Sequence, residues 1–118
     1  MTSETAIQSA IMEYLRYALP GTYRAFHVNN TPRSAIHGAK LKRMGLAAGI
    51  PDITIVRDGG SVAFLEVKGP KGSLSPVQKE FRDWCGDNRV PWGVVRSVGD
   101  VQAFLTDLNV PLKARAAA

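Results

Sequence analysis

Between Glu4 and Leu19 the apolar residues Ile7, Ala10, Ile11, Tyr14, Leu15 and Ala18 recur at helical spacing, which lays one stripe of a helix against a core. Thr2 or Ser3 can cap its start, and Pro20-Gly21 ends it. The pattern changes at Tyr23–Val28, where aromatic and β-branched residues predict a strand, broken by Asn29-Asn30-Thr31-Pro32. From Ser34 to Gly45, Lys40, Lys42 and Arg43 surround Leu41 and Met44, compatible with a short basic helix closed by Gly45.

Two strands follow, Asp52–Arg57 and Val62–Lys68, joined by Asp58-Gly59-Gly60-Ser61, a strong hairpin signal. Ser75-Pro76 starts a helix with serine at the cap and proline in the first turn. It runs through Val77, Phe81, Trp84 and Cys85 to about Asn88. Val90–Arg96 reads as a short apolar strand interrupted by Gly93, and a last helix, from about Gly99 to Leu108, buries Val101, Phe104, Leu105 and Leu108. Trp84 and Trp92 are most simply core residues. A hairpin followed by a strand–helix–strand step implies an α/β fold, a mixed sheet with helices on both faces. One domain is expected over residues 1–110, with a frayed tail over 111–118.

Composition changes this picture little. The 118 residues, 45% hydrophobic and 21% charged, suit a single globular domain rather than a disordered chain. Cys85 is the only cysteine, so an intrachain disulfide and a cysteine-rich zinc site are both excluded. No signal peptide and no membrane-length apolar run is present, so a soluble, cytoplasmic protein is expected. The net charge of +5 suits a polyanionic partner without requiring one.

Candidate chemistry concentrates on the hairpin. In Phe64-Leu65-Glu66-Val67-Lys68, alternation sends Glu66 and Lys68 to one face and Leu65 and Val67 to the other. The hairpin pairs the start of its first strand with the end of its second, which brings Asp52 beside Glu66 and Lys68. Two carboxylates in an apolar setting repel each other and lose hydration, and a hard divalent cation such as Mg²⁺ resolves both costs. Other candidates read less sharply. Asn29, Asn30 and Arg33 suit a turn or a DNA contact; Lys40, Lys42 and Arg43 suit a basic patch for phosphates or a solvated helix face. His27 reads as a strand residue or a DNA-facing group, and His37 stands at no ligand spacing from it.

Pro51-Asp52 followed by Glu66-Val67-Lys68 resembles the PD-(D/E)XK nuclease signature. Within that superfamily the chain is similar to the VRR-NUC family, through Glu4…Ile7-Gln8, Gly49-Ile50-Pro51-Asp52, Glu66-Val67-Lys68 and Leu74-Ser75-Pro76-Val77-Gln78. The resemblance implies a restriction-endonuclease-like α-β-β-β-α-β core and phosphodiester hydrolysis with Mg²⁺ or Mn²⁺. It implies Asp52, Glu66, the Val67 backbone carbonyl and Glu4 as metal ligands. Asp52, Glu66, Lys68 and Gln78 would carry catalysis, with Gln78 bonded to water or to the lysine, and Asn30, Arg33, Lys40, Lys42 and Arg43 would meet DNA. Standalone members of this size resemble homodimeric junction resolvases, so branched DNA and a second copy are the expected partners, with no organic cofactor. The competing expectation is a catalytically silent DNA-binding or assembly module on the same fold. A sequence-specific restriction enzyme would need a recognition insertion for which the chain has little room.

Overall fold

A computed structural model describes residues 3–28, 35–45 and 49–115. Its elements are α1 (Glu4–Ala18), β1 (Arg24–His27), α2 (Ala35–Arg43), β2 (Ile53–Val56), β3 (Val62–Val67), α3 (Pro76–Asp87), β4 (Trp92–Val95) and α4 (Val98–Asp107). The expected α-β-β-β-α-β core is present, with α2 between its first two strands and α4 after its last. The sheet order is β1-β2-β3-β4, antiparallel across its first two pairs and parallel across the third.

The hairpin fixes the register. The Arg57 N–H donates to the Ser61 carbonyl at 2.6 Å and the Gly60 N–H to the Arg57 carbonyl at 3.0 Å. Gly59 and Gly60 hold φ of 86° and 90°, left-handed values that other residues adopt only with strain. Ile53 consequently faces Leu65, and Val56 faces Val62.

One face of the sheet carries the core. Ile53 and Ile55 of β2, Leu65 and Val67 of β3, and Val95 of β4 are buried against Ile7, Ile11 and Leu15 of α1 and Val101 and Leu105 of α4. Each such side chain contributes about 1.5–3 kcal/mol when removed from water. Gly93 interrupts an apolar strand because the Phe104 ring of α4 lies against it; a β-carbon there would sit 2.7 Å from the ring. Helix α3 covers part of the opposite face, where Phe81 meets Phe64 edge-on at 5.2 Å between centroids.

Two expectations need correction. Trp84 is 53% exposed: it stacks on the outer side of Phe81 at 5.8 Å, whereas Cys85, the next residue, turns inward and is buried. Trp92 is half-buried. The tail is tied down as far as Ala114 rather than frayed from residue 111. The Lys113 N–H donates to the Ala18 carbonyl at 2.8 Å, and the Tyr14 hydroxyl donates to the Ala114 carbonyl at 2.8 Å. No helix among the described residues is long and apolar enough to cross a membrane.

Candidate active site

Asp52 lies one residue before Ile53 and Glu66 one residue after Leu65, the pair that closes the β2–β3 ladder. The carboxylate of Asp52 continues that ladder in place of backbone: Oδ2 accepts the Val67 N–H at 2.8 Å. Its own carbonyl accepts the Val28 N–H at 2.8 Å, so Asp52 is held from both neighbouring strands. Gly49 brings the preceding loop close to the start of α3. It has φ of 81°, and a β-carbon there would meet the Val77 carbonyl oxygen at 2.7 Å.

Glu66 is 3% exposed, the single charged side chain in the buried set among the described residues. Its two oxygens differ. Oε1 accepts from Gln78 Nε2 at 2.8 Å and lies 3.9 Å from Lys68 Nζ. Oε2 is buried with no hydrogen-bond partner among the described residues. Burial first, then the neighbouring Asp52 carboxylate, pushes the Glu66 carboxyl up to about 8, against the lowering pull of Lys68. A hydrogen bond shared with the Asp52 side chain adds to the rise, so without a cation the Glu66 carboxyl keeps its proton at neutral pH.

Gln78 joins fold and site. Ser75 caps α3, its hydroxyl accepting the Gln78 N–H at 3.3 Å, while Gln78 Oε1 accepts the Ser75 N–H at 2.8 Å, a reciprocal capping box. The same Oε1 accepts from Lys68 Nζ at 2.9 Å. Both donors fix which end of the amide is oxygen, and Nε2 is thereby aimed at Glu66. Of the two roles open to Gln78, the amide takes the bond to the lysine. The lysine stem runs close beside Gly72, where a β-carbon would lie 3.3 Å from Lys68 Cδ.

The remaining candidates are not gathered into this cluster. Glu4 opens α1 and is exposed; its charge adds the smallest contribution to the rise at Glu66. Among the described residues no three of His, Cys, Asp and Glu come together tightly enough to hold an ion alone. Lys40, Lys42 and Arg43 are exposed in the last turn of α2, and Asn30 and Arg33 lie outside the described residues. A cleft of about 640 Å³ beside α1 is lined by Glu4, Gln8, Arg16, His27 and Asp52, among others. His27 is a strand residue, as expected, at the end of β1, but its contact with Asp52 was not foreseen. Its ring nitrogen Nδ1 lies 3.0 Å from the Asp52 carbonyl, a contact across 25 positions that no local pattern signals.

The donor set fits a hard cation. One buried carboxylate oxygen and a second carboxylate beside it are hard oxygen donors, and Mg²⁺ characteristically takes one or two carboxylates and fills its shell with water.

Comparison with known proteins bears on the family and the fold. The VRR-NUC domain model matches residues 2–99. A solved structure of a VRR_NUC domain protein shares the fold, with a TM-score of 0.66 at 21% identity, covering 89% of this chain and 86% of that one. No curated protein matches the chain. The match across most of the sequence, on this fold, makes the chain a member of the VRR-NUC domain family, a family of nuclease domains.

Proposed function

We propose that this domain is a Mg²⁺- or Mn²⁺-dependent DNA endonuclease that selects branched DNA by structure, with Asp52, Glu66, Lys68 and Gln78 as its catalytic set. The observation that carries this reading is the buried Glu66 oxygen with no donor of its own, beside Asp52 and two residues before an anchored lysine. Asp52, Glu66 Oε2 and the Val67 carbonyl would hold the cation, with Glu4 reaching it from α1. Bound there, such an ion supplies a water acidic enough to attack phosphorus at neutral pH and positive charge against the phosphoryl oxygens.

The protein's own groups do the rest. The Lys68 ammonium has three donors, one of which Gln78 holds. The others are available to the attacking water or to the non-bridging oxygens, where charge grows in the transition state. Gln78 stops the lysine from collapsing onto Glu66: it binds both and keeps them 3.9 Å apart. Exposed Lys40, Lys42 and Arg43, with Asn30 and Arg33, would meet backbone phosphates irrespective of sequence. Cutting two strands of a four-way junction takes two sites, which a homodimer would supply.

Gln78→Leu is expected to lower the cleavage rate by about 10- to 100-fold, the usual cost of losing a group that orients a metal-site residue. It should also cost about 1 kcal/mol of stability through the broken capping box, read by thermal denaturation.

Incubating the protein with labelled four-way junctions, flaps and linear duplexes in Mg²⁺, Mn²⁺ or EDTA tests the function. The expected result is cleavage in either metal, fastest on branched DNA and absent in EDTA. If all the DNAs remain intact in both metals while junctions are still bound, the silent DNA-binding module is the correct reading.

A further inference from the structure

His27 ends β1 outside the proposed ligand set, yet its ring turns toward that set. Nδ1 lies 3.0 Å from the Asp52 carbonyl and also meets the side-chain amide of Gln8, from α1. A carbonyl oxygen only accepts, so a ring bonded to it carries its proton on Nδ1. The Gln8 amide then faces the same N–H with its oxygen, a half-turn that leaves the shape of the amide unchanged. Among the described residues Nε2 has no such partner. Gln8 lies one helical turn beyond Glu4, on the same side of α1, and all four residues line the one cleft.

We propose that Gln8 and His27 form a clasp that positions Asp52 and holds the Glu4 end of α1 beside it. The clasp rests on the reading of Asp52 as a metal ligand. It makes cation affinity depend on two side chains that do not themselves touch the cation, as hydrogen-bond partners of metal ligands commonly do. His27 is exposed and Gln8 half-buried. Bonds so placed contribute little to global stability, so variants at either position are expected to fold.

The test is Mn²⁺ titration calorimetry of the full chain and of His27→Leu, Gln8→Leu and His27→Asn, with ¹⁵N spectra of the wild-type imidazole. His27→Leu and Gln8→Leu should each weaken Mn²⁺ binding by about tenfold. Asparagine keeps a donor near the position of Nδ1, so His27→Asn should stay within about threefold of wild type. The neutral His27 ring should carry its proton on Nδ1. Unchanged Mn²⁺ affinity in both leucine variants, or a proton on Nε2 alone, overturns the clasp and leaves the metal site intact. A wild-type protein that takes up no Mn²⁺ overturns the metal reading and the clasp together.

Discussion

Glu66→Gln is expected to abolish metal-dependent cleavage, by about 10³-fold or more, while making the metal-free protein more stable above neutral pH. The two effects share one cause. Glu66 Oε2 is buried without a partner beside Asp52, an arrangement that disfavours a carboxylate and suits a cation. An amide cannot supply the second negative charge, so the ion and the transition-state charge stabilisation it brings are lost, an effect of several kcal/mol. The same amide keeps the acceptor that Gln78 needs at Oε1 and places an N–H donor where Oε2 stood, toward the Asp52 carboxylate. Removal of the buried charge should raise stability at pH 8.5 by about 2 kcal/mol or more. Cleavage rates and melting temperatures of wild type and variant check both halves. A variant that lost activity because it failed to fold would melt lower, not higher.

Without metal, the wild-type protein should be more stable at pH 5.5 than at pH 8.5. An unfolded chain releases the Glu66 proton near 4.5, whereas the folded protein holds it up to about 8. Between those values the folded state binds more protons than the unfolded one, so stability falls as pH rises, and above about 8 the full penalty is present. The slope reaches about 1.4 kcal/mol per pH unit at most, which for a chain of this size is on the order of 10 °C in melting temperature across the window. A cation must displace that proton, so apparent Mg²⁺ or Mn²⁺ affinity should rise by up to about tenfold per pH unit below about 8 and level off above it. Calorimetry in buffers of different ionisation enthalpy counts the proton released. In Glu66→Gln the Glu66-dependent fall in stability should disappear.

The hairpin was legible from sequence because its information is local. Two glycines at the turn set the register, and strand alternation then assigns faces, so Asp52, Glu66 and Lys68 could be placed together before any tertiary contact was known. Ser75-Pro76 and Gln78 were legible for the same reason, since a capping box spans four consecutive positions. The double duty of Gln78, which bridges Lys68 and Glu66, needed the parallel return through α3 to bring the helix start beside β3. The exposure of Trp84 was not legible because hydrophobicity does not by itself imply burial; α3 is partly covered, and Trp84 stacks on Phe81 at its outer side instead. The anchoring of the tail was not legible because on the tail's side it uses only backbone atoms, the Lys113 N–H and the Ala114 carbonyl, which leave no side-chain pattern. The strand position of His27 was legible, but its partners were not. Its partners Gln8 and Asp52 lie 19 and 25 positions away, and only the fold brings them together.

The most direct test of the metal site is anomalous diffraction from crystals of the protein grown with Mn²⁺. One strong Mn²⁺ peak per chain is expected between the Asp52 carboxylate, Glu66 Oε2 and the Val67 carbonyl, absent from crystals of Glu66→Gln. A Mn²⁺ peak bound elsewhere, or an undiminished peak in Glu66→Gln, would contradict the metal site.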